Sequence, residues 1–202
     1  MAAVPAPFTA LAAREERLLL RILSAVQFTH IMDFMIMMPL GARLMQYFGI
    51  TPAQFTWLVA SYAMAAALAG CAAGFVLDRF DRKNALLWLY GGFAVATLGC
   101  ALAPNFHTLL VARFAAGAFG GVAGSVVTAM VGDVVPPERR GRAMATVMAA
   151  FPLASVLGVP TGLWLAGMLE WHAPFFLLAL LSGIVWPLAL RALPHVPSHR
   201  SN

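Results

Sequence analysis

Three polar side chains recur at intervals of three residues in an otherwise apolar stretch near the N-terminus. They are Gln27, His30 and Asp33, and on an α-helix this spacing places them on one face. A carboxylate in such a place suits proton transfer, because burial opposes its ionisation whereas a neighbouring cation favours it. We therefore predict that Asp33 carries or senses a proton, and histidine also titrates near neutrality. Each has a structural alternative: Asp33 in a static buried ion pair, and His30 as a hydrogen-bonded residue that only fills space in the core.

Arg113 is the other ionisable residue that lies deep in an apolar stretch. A charge at the centre of a bilayer costs about 2.5–3.5 kcal/mol on insertion scales, so it is expected to face a cavity or a partner. Because Asp33 and Arg113 carry opposite charges, we predict that they face each other or share one aqueous cavity. A pair that only fixes the register of two helices is the alternative.

The composition indicates a membrane protein. Hydrophobic residues make up 61% of the 202 and charged residues 10%, whereas soluble domains carry about 25% charged residues. The net charge of +5 does not indicate nucleic-acid binding, because Lys and Arg form short clusters between apolar runs. Cys71 and Cys100 lie inside such runs without converging metal ligands. With no catalytic carboxylate pair or nucleotide loop either, we expect no enzyme activity, cofactor or metal.

Six apolar runs are long enough to cross a hydrocarbon core of about 30 Å. They predict an all-α membrane domain over residues 22–193, between tails at 1–21 and 194–202. Prolines inside several runs are expected to bend their helices. Pairs of glycines four residues apart predict close helix packing, within one bundle or between subunits. The predicted helices are at about 22–47, 53–77, 84–103, 108–132, 143–169 and 175–193.

The distribution of basic residues predicts the orientation in the membrane. Lys and Arg number three in the first tail, three in the second connection, three in the fourth and two at the C-terminal end. The intervening connections have none, and Arg43 near the outer end of the first run is an exception. Because cytoplasmic loops carry the excess of Lys and Arg, we predict a multi-pass inner-membrane protein with both termini in the cytoplasm.

The connection between the second and third runs resembles a signature of the major facilitator superfamily. The ten residues from Gly74 to Lys83 are similar to G-x-L-x-D-R-x-G-R-K, with Val76 in place of the leucine and Asp81 in place of the second glycine. The resemblance implies that this loop gates the cytoplasmic side. The residues that would do so are Gly74, Asp78, Arg79, Arg82 and Lys83.

Further motifs resemble the proton-coupled drug and sugar efflux branch of the same family. Arg113 to Gly117 is similar to the R-x-x-x-G motif, whose arginine is linked to proton coupling. The segment containing Gly158, Pro160 and Gly162 resembles the glycine–proline motif of the antiporter branch. The resemblance implies that Arg113 modulates the proton affinity of the first helix's carboxylate, and that the second motif shapes helix five.

The resemblance covers about residues 20–193 and implies one half of a twelve-helix transporter, built as two inverted three-helix repeats. It implies proton-coupled efflux of a small molecule by alternating access, in contact with the lipid bilayer. The second half would come from a homodimer or from another membrane chain. The alternative is an accessory subunit or truncated half, without transport of its own, that stabilises a larger membrane complex.

Overall fold

Long apolar runs bounded by Pro, Gly and Asn become six helices in the computed structural model, which describes residues 13–76 and 81–193. Each helix is long and apolar enough to cross a membrane. This confirms the prediction of an all-α membrane domain with six spans. The helices are α1 (Ala13–Phe48), α2 (Pro52–Val76), α3 (Arg82–Ala101), α4 (Phe106–Val134), α5 (Pro137–Met168) and α6 (Ala173–Ala192).

The helix ends follow from the local chemistry of the connections. Gly49 follows α1 with a φ of 61°, a conformation that residues with a Cβ rarely adopt. Asp81 caps α3, where its side chain accepts a hydrogen bond of 3.0 Å from the amide of Asn84. Asn105 caps α4 by accepting one of 2.9 Å from the amide of Thr108. Both caps satisfy amides that the helix leaves unpaired.

Two helices begin earlier than the hydropathy pattern predicts. The first helix begins at Ala13, where the sequence predicts a start near residue 22, and α5 begins at Pro137 rather than near residue 143. These extra turns are polar, and Arg139 Nη2 lies 3.1 Å from Glu16 Oε2 between them. Hydropathy marks the part of a helix inside the hydrocarbon core, whereas the helix itself continues into the polar region.

The fifth helix is irregular between its two prolines. Residues Ala154–Gly158 form a π-helical segment between Pro152 and Pro160. Each proline lacks the amide hydrogen of a regular turn, and a wider turn is one way in which a helix accommodates such a gap. The irregularity lies where α5 packs against α1.

Helices α1, α3 and α4 supply most of the buried apolar core. One apolar cluster surrounds Leu23, Tyr90 and Val127, and a second surrounds Leu44 and Leu109. Helix α4 packs on α2 and α3, whereas α1 packs on α4, α5 and α6. The spans α2 and α5 are the least buried of the six in the described structure.

Candidate functional site

Asp33 of α1 and Arg113 of α4 meet inside the bundle. The Nη1 atom of Arg113 lies 2.6 Å from Oδ2 of Asp33 and also donates to the Asp33 backbone carbonyl at 3.2 Å. Both side chains are fully buried, with 0% of their surface exposed. The two residues that the sequence predicts to be partners are therefore in direct contact, in a geometry that joins α1 to α4 through charge and hydrogen bonding.

Tyr62 of α2 covers the arginine from a third helix. The guanidinium carbon of Arg113 lies 4.5 Å from the centre of the Tyr62 ring, within the range of a cation–π contact. The Tyr62 hydroxyl also donates to the backbone carbonyl of His30 at 3.4 Å. Sequence reasoning missed Tyr62, because an uncharged aromatic residue in an apolar run carries no signal of its own.

Several buried polar atoms around this pair have no hydrogen-bond partner among the described residues. They are Oδ1 of Asp33, Nε and Nη2 of Arg113, both ring nitrogens of His30 and Oε1 of Gln27. An unpaired buried polar atom is costly, and native proteins contain few of them. The cluster therefore offers donors and acceptors to a proton, a water molecule or a substrate.

Gly124 of α4 makes room for the polar stripe of α1. A Cβ atom at this position would lie 2.9 Å from Nε2 of His30 and 3.5 Å from Oε1 of Gln27. Gln27 is buried and His30 is half-buried. The three polar residues of α1 therefore all turn toward α4, with Asp33 at the arginine and the other two at the glycine.

The residues that the sequence predicts to gate the cytoplasmic side fall partly outside the described part of the chain. Asp78 and Arg79 lie outside the described residues. Gly74 stands near the end of α2, where a Cβ atom would meet nothing within 4 Å. Arg82 Nε lies 3.3 Å from Oδ2 of Asp133, and Lys83 is largely buried at the start of α3. The acidic partner on α4 was not singled out from the sequence, although it is an isolated acid at the end of an apolar run.

The glycines of the helix-five motif pack directly on α1. A Cβ atom at Gly158 would lie 2.9 Å from Sδ of Met32, and one at Gly162 would lie 2.5 Å from Cδ1 of Ile36. Pro160 is exposed between them. The motif therefore holds α5 against the helix that carries Asp33. Among the described residues, no group of three or more His, Cys, Asp or Glu could hold a metal ion.

Relatives of known sequence match most of the chain. The family model of the Major Facilitator Superfamily matches residues 23–202. The chain is 32% identical over 164 residues to the uncharacterized MFS-type transporter YceJ of Bacillus subtilis (strain 168), covering 81% of this chain and 42% of that protein. It is 34% identical over 147 residues to a multidrug resistance protein B homolog of Mycobacterium tuberculosis (strain ATCC 25618 / H37Rv), covering 69% of this chain and 27% of that protein. A probable sugar efflux transporter of Helicobacter pylori (strain P12) is 26% identical over 144 residues, covering 71% and 37%.

Solved structures share the fold at low sequence identity. A bacterial homologue of the human lysosomal transporter Spinster superposes with a TM-score of 0.78 at 16% identity, over 95% of this chain and 46% of that one. The POT family transporter PepTSo gives a TM-score of 0.81 at 15% identity, over 95% of this chain and 40% of that one. The six helices thus have the arrangement of part of a larger transporter fold, and the chain spans less than half the length of these relatives. Because the family model matches most of the sequence, the chain belongs to the major facilitator superfamily.

Proposed function

We propose that the chain forms one half of a transporter that exports a small molecule across the inner membrane in exchange for protons. The observation that carries this proposal is the fully buried contact of 2.6 Å between Asp33 and Arg113. A charge pair inside a membrane is expensive to desolvate, and intramembrane ionisable residues commonly mark ion and substrate pathways. The names of relatives, which include multidrug resistance and sugar efflux proteins, support export.

The mechanism that we propose rests on a competition between a proton and Arg113 for the negative charge of the Asp33 carboxylate. A proton and the Arg113 guanidinium both bind Asp33, and a protonated carboxyl group no longer forms the full ion pair. Proton binding would therefore loosen the contact between α1 and α4, and proton release would restore it. His30 and Gln27, which line the same side of α1, supply unpaired polar atoms to a proton or substrate next to this switch.

Alternating access requires a second six-helix half opposite this one. The surface that suits it lies on α2 and α5, which are the least buried spans of the described structure. Large apolar side chains are exposed there, among them Leu68, Val156 and Leu157. A second copy of the chain, another membrane chain or a longer polypeptide could supply the second half. The gating role proposed for Gly74, Asp78, Arg79, Arg82 and Lys83 depends on that contact.

The first test is transport by the purified protein in proteoliposomes, with native mass spectrometry to count the chains present. With an imposed pH gradient, we expect wild-type protein to accumulate a fluorescent lipophilic cation or a labelled sugar. Asp33→Asn should reduce this proton-driven accumulation at least about tenfold, which corresponds to about 1.4 kcal/mol. The same variant should retain exchange of substrate down its own gradient, because the amide still accepts a hydrogen bond from Arg113.

The matched control is Glu170→Gln, which makes the same chemical change at an exposed carboxylate paired with His172 at 3.1 Å. This variant should accumulate substrate like the wild type. Proton-driven accumulation that survives Asp33→Asn would refute the proposed coupling. A wild-type protein that moves neither probe, but loses a co-purifying membrane chain after Asp33→Asn, would instead favour the accessory subunit.

Both termini are proposed to be cytoplasmic, and cysteine labelling tests this orientation. In a background with Cys71→Ala and Cys100→Ala, a cysteine at Thr51 should react with a membrane-impermeant maleimide in intact cells. A cysteine at the exposed Glu138 should react only after permeabilisation, because the basic α4–α5 connection is expected to stay inside. The reverse labelling pattern would overturn the orientation.

A further inference from the structure

An apolar groove opens along the side of the bundle between α3 and α6. Its volume is about 1000 Å³, and α4 contributes Ala115 and Phe119 to its wall. The other lining residues are almost all apolar, and Trp88 is among them with 82% of its surface exposed. The groove is separate from the cluster around Asp33, since neither Asp33 nor its described partners line it.

Glycines on α3 fix the aromatic walls of the groove. A Cβ atom at Gly91 would lie 3.0 Å from Nε1 of Trp186, and one at Gly92 would lie 2.7 Å from Cδ1 of Phe119. The indole of Trp186 also donates a hydrogen bond of 2.9 Å to the carbonyl of Leu87. The two rings are therefore held against the backbone of α3. In contrast, a Cβ atom at Gly183 would meet nothing within 4 Å, so the groove is open at that point.

The length of the groove matches one leaflet of a bilayer. Its lining along α3 runs from Asn84 to Ala96, which at 1.5 Å per residue is about 18 Å. The hydrocarbon core is about 30 Å thick, so one leaflet provides about half of that. An occupant that enters from one surface and ends near the midplane has the dimensions of an acyl chain.

An exposed arginine stands at the end of the groove that faces the membrane surface. Arg191 is exposed in the last turn of α6, one residue beyond the groove-lining Leu190. On α3, the side chain of Asn84 is exposed at the mouth, whereas the preceding Lys83 is buried and does not line the groove. Asp81 stands at the same end and caps α3. Basic side chains next to the membrane surface attract anionic headgroups, so the exposed Arg191 complements a lipid phosphate.

We propose that this groove binds one acyl chain of an anionic phospholipid, whose phosphate lies at Arg191 and Asn84. The apolar lining, the length of one leaflet and the exposed Arg191 at the mouth each match one part of such a lipid. The site requires no transport activity, and it would exist in an accessory subunit as well as in a transporter. A result that overturns the lipid site would therefore leave the proposed transport function standing, and loss of the transport function would leave the lipid site standing.

Native mass spectrometry of the purified protein, titrated with dioleoyl phosphatidylglycerol or dioleoyl phosphatidylcholine, tests the proposal. We expect wild-type protein to retain phosphatidylglycerol at one lipid per chain, at least about tenfold more tightly than phosphatidylcholine. Gly183→Phe fills the open part of the groove and should weaken phosphatidylglycerol binding at least about tenfold. Arg191→Gln should leave an acyl chain bound but abolish the preference for the anionic lipid.

The matched control is Ile184→Phe, which adds an aromatic ring to the neighbouring exposed position of α6 outside the groove. It should bind phosphatidylglycerol like the wild type, and a thermal melt of each variant verifies folding. Equal binding by Gly183→Phe and Ile184→Phe would overturn the site. Equal affinity of the wild type for both lipids would overturn the assignment of an anionic headgroup.

Discussion

Replacing Arg113 with methionine is expected to lower the free energy of unfolding by about 3–5 kcal/mol. The substitution leaves the carboxylate of Asp33 fully buried without its countercharge, which costs far more than the pair itself contributes. Combining it with Asp33→Asn should recover most of the loss, because the remaining groups are neutral. Equilibrium unfolding in mixed micelles of dodecylmaltoside and sodium dodecyl sulfate measures both variants and the single Asp33→Asn.

The control for this prediction is Arg43→Met. Arg43 of α1 is exposed and donates to the backbone carbonyl of Ala166 near the end of α5. Its loss removes one hydrogen bond and should lower the free energy of unfolding by about 1.5 kcal/mol. An Arg113→Met variant as stable as Arg43→Met would show that Asp33 does not need the charge. If the effects of Arg113→Met and Asp33→Asn were additive in the variant that carries both, Asp33 and Arg113 would not be coupled.

The Asp33–Arg113 contact could be predicted from the sequence because its physical cause is local to each residue. A charge deep in an apolar helix needs a partner of opposite charge or a cavity. Asp33 and Arg113 are opposite charges at such depth, so each is the expected partner of the other. Tyr62 could not be predicted in the same way. Its place over the guanidinium depends on how closely α2 approaches α4, and that distance is set by packing between helices distant in sequence.

The spans themselves were predicted from hydropathy, whereas the starts of α1 and α5 were not. An apolar run indicates only the residues that lie inside the hydrocarbon core. The first turns of α1 and α5 are helical but polar, so hydropathy does not predict them. Pro152 and Pro160 indicated that α5 would be irregular. They could not indicate that the irregularity is a π-helical segment at Ala154–Gly158, because several local geometries relieve a proline in a helix.

Glycine pairs show most clearly what sequence spacing leaves undecided. The pairs at 70 and 74, at 117 and 121, and at 158 and 162 look equivalent in the sequence. In the structure, the second pair packs on the α2 backbone and the third packs on α1, whereas a Cβ atom at either member of the first pair would meet nothing within 4 Å. Spacing predicts the capacity for close approach, but the partner depends on the tertiary arrangement.

This difference predicts opposite effects for the same substitution at two of these glycines. Gly117→Ala would place a Cβ atom 2.2 Å from the backbone carbonyl oxygen of Tyr62 and 2.7 Å from its Cα. Backbone cannot rotate away as a side chain can, so α2 must move from α4. Overpacking of this kind typically costs 1–3 kcal/mol, and we expect about 3 kcal/mol or more here because no flexible atom absorbs the clash. The mixed-micelle unfolding assay measures this loss.

Gly70→Ala makes the identical change in open space on α2. Because alanine restricts the unfolded chain more than glycine does, this variant should be neutral or more stable by about 0.5–1 kcal/mol. Losses of equal size at both positions would contradict the α2–α4 contact, since helix propensity alone would favour alanine at both.

If Gly117→Ala folds, it should also separate Tyr62 from Arg113, because the helix that carries the ring is the one that must move. Its proton-driven accumulation should then fall by more than that of Gly70→Ala, which connects the packing of one glycine to the charge pair at the centre of the bundle.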